Sequence, residues 1–133
     1  MNLKYLGDAL DHWKGSLFRR LCYRNLLSDL HVDPMITDER PWTEEELSIY
    51  DRLLNLESVG KLVNSQRTFT VQRQDYFNSI DHRGDLFLDP DTGIAAINIT
   101  RKHVAIKEID FLLMKNKSRV IAVYQHNAQG TEI

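Results

Sequence analysis

Three short runs constrain this chain more than anything else in it: Leu30-His31-Val32, Leu86-Phe87-Leu88 and Val120-Ile121-Ala122-Val123-Tyr124. Each is too short for a helix and rich in β-forming apolar residues. A strand buried on both faces reads as a continuous apolar run rather than an alternation. Stretches with helical periodicity lie between the runs, and that succession is the pattern of a layered α/β fold. The expectation is an α/β domain with a short parallel or mixed sheet of three to five strands and flanking helices. At 133 residues one domain over 1–133 is expected, long enough to bury a core without disulfides or metal. A content of 42% hydrophobic and 27% charged residues excludes a disordered chain.

Residues 8–28 are expected to form the first helix, with Asp8 as N-cap and Leu10, Trp13, Leu17 and Leu21 as the buried stripe. A strand follows over 30–35. Thr43 opens a second helix, and Glu46 completes its capping box. Leu47, Tyr50 and Leu54 give that helix a core face, and its end is expected near Gly60. Thr68–Val71 reads either as strand or as loop. Tyr76, Phe77 and Ile80 mark a short helix over 73–81, and a strand runs from Asp85 to Asp89. Ile97–Thr100 is expected to be extended. Ile109, Leu112 and Leu113 face inward from a helix over 107–116. The run 119–126 is the clearest strand, expected to be buried on both faces of a parallel sheet.

In such sheets ligands bind beyond the carboxyl ends of the strands. The runs end on Asp33, on Asp89 and Asp91, and on Gln125 and His126. In a parallel sheet these groups converge, so a pocket is expected beyond Asp33, Asp89 and His126. Two readings of "DPDTG" stay open. As a turn, Pro90 fixes the backbone and Asp91 bonds its own main chain. As a site, Asp89 and Asp91 offer hard carboxylate oxygens to Mg²⁺. An aspartyl phosphotransferase would also need a later acidic pair at a strand end, and the residues after Asp91 hold none.

Residues 7–15, "GDALDHWKG", crowd Asp8, Asp11, His12 and Lys14 into the first helical turns. Acids there complement the helix dipole, by about 0.3–1 kcal/mol each. A lysine one turn in also suits a carboxylate or phosphate. The pattern G-D-x-x-D-x-x-K resembles the G-N-x-x-D-x-x-K motif of ribosomal RNA large-subunit adenine-N6 methyltransferases. "LFLDPD" resembles the strand-end D-P-P-Y motif of adenine-N6 methyltransferases generally. The whole chain is similar to uncharacterised bacterial and phage-associated proteins with DPDTG or DPDNG and VYQH motifs. The resemblance implies a truncated Rossmann-like methyltransferase fold. It implies S-adenosylmethionine near Gly7, Asp11, Lys14 and Asp33, and Asp89 with the Pro90 carbonyl orienting a target amino group. The sequence departs from the family at Asp91 and Thr92, where the second proline and the base-stacking aromatic would stand. It also has no G-x-G loop.

No pair among the five histidines has the i, i+4 spacing of a zinc helix. His126, at a strand end near Asp89, is a candidate acid or base. The formal charge of −2 argues against a dedicated nucleic-acid binder. Any contact with nucleic acid is expected from the basic clusters 101–103 or 115–119. The lone Cys22 fits a reducing compartment, and no apolar run nears the ~20 residues of a membrane span. A cytoplasmic protein is expected. Three classes of function remain. One is methyl transfer at Asp89, Pro90 and His126. Another is Mg²⁺-dependent phosphodiester hydrolysis with Asp89 and Asp91 as ligands. The third is a non-catalytic interaction protein that dimerises through the strand Val120–Tyr124.

Overall fold

A computed structural model describes residues 1–56, 60–64, 68 and 72–126. A 3₁₀ turn at Leu3–Tyr5 leads into helix α1 (Ala9–Tyr23), strand β1 (Leu30–Asp33), helix α2 (Glu44–Leu54) and strand β2 (Gly60–Leu62). Helix α3 (Arg73–Asn78) and strand β3 (Leu86–Leu88) follow. Strands β4 (Gly93–Ala95) and β5 (His103–Ala105), helix α4 (Ile106–Lys115) and strand β6 (Ile121–Val123) complete the described elements. The main sheet has four parallel strands in the order β2-β1-β3-β6, and β4 with β5 forms a small parallel pair. This is a small α/β domain with parallel sheets flanked by helices.

Strand period two splits the core. Leu30, Val32 and Phe87 join one cluster with Phe18 of α1 and Leu47, Tyr50 and Leu54 of α2. Leu86 and Leu88 join the other with Tyr76, Phe77 and Ile80, together with Leu112 of α4. Neighbouring side chains of one strand thus enter opposite layers. Asp85 ties the strand starts together, accepting from the Ser28 amide at 2.6 Å and the Val120 amide at 2.7 Å.

Helix α2 has the expected capping box between Thr43 and Glu46, and buries Leu47, Tyr50 and Leu54. It ends at Leu54, short of Gly60, because Asn55 adopts the left-handed region at φ +57° and closes the helix. The expected strand at Thr68–Val71 lies for the most part outside the described residues.

Three further expectations are corrected. The stripe Leu10, Trp13, Leu17 and Leu21 is not the buried face of α1. Asp11, Lys14, Gly15 and Phe18 are buried instead, at i, i+3, i+4 and i+7, while Leu10 and Trp13 face solvent. Gly15 explains the choice, since a Cβ there would lie 2.2 Å from the Leu53 carbonyl oxygen of α2. Only the glycine side of α1 can approach α2 so closely. Next, Ile97–Thr100 forms no strand; Asn98 turns the chain at φ +53°, between β4 and β5. Finally, β6 is an edge strand and only half-buried, because no described strand pairs with its outer side.

Candidate functional site

The strand order reverses between β1 and β3, and at such a reversal two carboxyl ends diverge to leave a crevice. A cavity of about 430 Å³ opens there, lined by Lys14, Asp89, Pro90, Asp91, Tyr124 and His126 among others. Asp33, at the end of β1, does not line it. Its carboxylate is fully buried beneath, accepting from Tyr76, from the Met35 amide at 2.9 Å and from Asn64 at 3.0 Å. Burial holds the Asp33 carboxyl above its ordinary value despite those bonds.

The two stretches that carry the methyltransferase resemblance meet in one network. The Gly7 amide donates to Asp11 at 2.9 Å. The Lys14 ammonium donates to Asp11 at 3.2 Å and to both oxygens of Asp89 at 3.0 and 3.1 Å. Tyr50 donates its hydroxyl proton to Asp89 at 2.7 Å, and the Lys14 Nζ lies 4.4 Å from the centre of the Tyr124 ring. Burial pulls the Lys14 ammonium down, but the carboxylates of Asp89 and Asp11 outweigh it and leave the ammonium above its ordinary value. Burial likewise raises the Asp11 carboxyl, and it raises the Tyr50 hydroxyl well above the usual range with Asp89 adding to the effect.

Asp91 is handled separately. One of its oxygens accepts from Thr37 at 2.6 Å, and the other lies 3.5 Å from the Met1 α-ammonium with no hydrogen-bond partner of its own. The same ammonium donates to the carbonyls of Pro34, Met35 and Asp89. Asp89 and Asp91 therefore face different internal cations. A magnesium ion between them would have to compete with both.

His126 lies exposed at the rim, its amide bonded to the Thr92 carbonyl at 2.8 Å. Of the basic clusters, Arg101 and Lys102 border the cavity. In the second cluster Lys117 is exposed, but Lys115 donates to the carbonyls of Asn78 and Ile80, and Arg119 to those of His82, Gly84 and Leu112. Those two cations hold loops rather than track a phosphate backbone.

The opposite edge of the sheet carries a group that the sequence did not disclose. Asp29, just before β1, His31 in β1 and His82, ahead of β3, each offer one ligand atom, and those atoms lie within 4.8 Å of one another. The imidazole rings stack with centroids 3.3 Å apart. His31 Nδ1 and His82 Nε2 lie 3.3 and 2.9 Å from the same Asp29 carbonyl oxygen. His31 Nδ1 is 3.9 Å from an Asp29 carboxylate oxygen. Ligands bound tetrahedrally at about 2.0–2.1 Å sit roughly 3.3 Å apart, so for one ion to meet all three the ligand atoms must draw together and the stacked rings must turn. Burial, with His82 adding to it, lowers the His31 imidazole below its ordinary value, and the contact with the Asp29 carbonyl works against that shift.

The backbone is shaped around this cluster. A Cβ at Gly84 would lie 2.6 Å from His82 Nε2 and 2.8 Å from an Asp29 carboxylate oxygen. Arg119 clamps the carbonyls on either side of that loop, His82 at 2.8 Å and Gly84 at 2.7 Å. Asp29 is exposed and both histidines are half-buried, so a dissolved ion can reach them. The two histidines are 51 positions apart, and only the pairing of β1 with β3 brings them together. The signal in the sequence was an Asp-x-His at a strand start, too short to weigh without a partner.

No protein-family model, no curated protein and no solved structure matches this chain. No helix among the described residues is long and apolar enough to cross a membrane.

Proposed function

We propose that this chain is a metal-dependent hydrolase of phosphodiesters whose centre is Asp29, His31 and His82. The observation that carries the reading is the convergence of two imidazoles and a carboxylate within 4.8 Å. Three protein donors leave a fourth position open, as hydrolytic centres require. Imidazole donors suit Zn²⁺ and its transition-metal neighbours, whereas Mg²⁺ prefers oxygens. An ion bound there supplies Lewis acidity toward a phosphoryl oxygen and a water. The Asp29 carboxylate offsets its charge, and Arg119 keeps the His82 loop in place. Lys61, the β2 register partner of His31, adds a positive charge that attracts a phosphate. The reaction class is that expected for Asp89 and Asp91, moved to the other edge of the sheet.

Cleavage of a fluorogenic single-stranded oligonucleotide with Zn²⁺ or Mn²⁺ tests this. Activity is expected to stop with EDTA and to be lost in His82→Ala. Cleavage that survives in His82→Ala with an unchanged metal titration would place the centre elsewhere.

Methyl transfer at the carboxyl-edge cavity is the second reading, favoured by the bonds that join Gly7, Asp11 and Lys14 to Asp89. Both Asp89 oxygens are taken by Lys14 and Tyr50, so Asp89 would position Lys14 and the Pro90 carbonyl would meet the amino group. S-adenosylmethionine at about 100 times its Kd adds about 2.7 kcal/mol of stability, a rise of several degrees in Tm. No rise removes the reading.

A further inference from the structure

The outward face of α1 joins exposed aromatic rings to arginines. Trp13 is 60% exposed and Tyr23 85% exposed. Arg19, Arg20 and Arg24 stand beside them, also exposed, and His12 completes the stripe. These residues fall on one side of the helix because Gly15 and Phe18 hold the other side inward. From His12 to Arg24 the sequence has no Asp or Glu. None of the three arginines forms an ion pair or side-chain hydrogen bond among the described residues, although the chain as a whole is acidic. A groove beside the stripe has a floor of Leu17, Leu21 and Leu26 and walls of Arg20 and Arg24.

We propose that this face binds single-stranded nucleic acid. The chemistry is complementary on both counts that such a ligand needs. Unpaired guanidinium groups take the phosphates, and the exposed rings of Trp13 and Tyr23 each give a base a surface to stack on. A duplex hides its bases and offers the rings nothing. An acidic peptide would satisfy the arginines and leave Trp13 and Tyr23 without a partner. The inference goes beyond the hydrolase reading and does not rest on it, since the surface contains none of Asp29, His31 and His82.

The test is fluorescence anisotropy of a labelled single-stranded oligonucleotide with the whole chain, in EDTA, over a range of salt. Binding is expected, with weaker binding to the duplex of the same sequence. Arg20→Gln with Arg24→Gln should reduce the slope of log K against log salt by about 1.4, at roughly 0.7 per phosphate contact. Trp13→Ala should weaken binding roughly tenfold or more with the salt slope unchanged, because stacking releases no counterions. Both variants alter exposed side chains, and an unchanged Tm verifies that they fold. His82→Ala should bind as the parent does, so a failed hydrolase leaves this result standing. Absence of binding at low salt overturns the proposal. So does Trp13→Ala binding as tightly as the parent, or duplex and single strand binding alike, which would mean attraction to any polyanion.

Discussion

The two ends of β1 and β3 carry charge in opposite ways. At the carboxyl edge, Lys14 is enclosed by Asp11, Asp89 and Tyr124, and Asp89 is closed off by Tyr50. At the amino edge, His31 and His82 meet each other and one backbone carbonyl, with the Asp29 carboxylate open to solvent. A closed ionic network stabilises its own geometry and competes with any ligand. The edge that general rules for parallel sheets favour is therefore the saturated one. The edge they neglect holds the three residues that could take a metal ion.

The comparison breaks most sharply at Asp89. Asp89→Ala leaves Lys14 buried beside Asp11 alone, and losing one partner of a buried pair costs about 3–5 kcal/mol. Urea unfolding should show that loss, while His82→Ala should move the midpoint little. Equal losses would mean that the amino edge is a structural network as well.

Metal reverses the order. Zn²⁺ at about 100 times its Kd should raise stability by about 2.7 kcal/mol, an increase reversed by chelator and absent from His82→Ala. If the same increase appears in His82→Ala, the ion sits at another place.

Gly84→Ala sharpens the contrast further. Its Cβ would overlap the Asp29 carbonyl and His82 Nε2, a strain of about 1–3 kcal/mol. Metal affinity should fall with it, as judged by calorimetry, while the Lys14 network is untouched. Retained affinity would show that the loop can open without moving its ligands.

The smallest effect concerns pH. The Lys14 ammonium titrates higher in the folded protein than in the unfolded chain. Its contribution is complete below about 10.5, the ordinary lysine value, and is lost as pH rises through the higher folded value. The stability gap between the parent and Lys14→Met should therefore narrow only at strongly alkaline pH. Narrowing near neutrality would assign the linkage to a different group.

What was legible in the sequence follows the range of the interactions. The α2 capping box and the strand ends at Asp33 and Asp89 are local, and they stand where they were expected, whereas Asp11 and Lys14, expected off the buried face of the first helix, are buried. The inward face of α1 was misread because apolar periodicity outweighed one glycine. Gly15 touches Leu53, which lies 38 positions away in another helix, and no local pattern announces that contact. Strand β2 is three residues long, with glycine and lysine in it, and lacks the apolar run that marked its neighbours. Tyr50 and Tyr124 looked like core residues, and only the fold turns one toward Asp89 and the other over Lys14.

Asp85 bears on how long this chain takes to fold. Its carboxylate gathers amides 57 and 35 residues away, and no strand of the main sheet is joined to its partner by a hairpin. Each pairing must first close a long loop, and that entropy is spent before any contact repays it. Folding is therefore expected to be slow for a chain of this size, with β1 and β3 docking late. Until then Leu86, Phe87 and Leu88 remain open to other chains in a crowded solution.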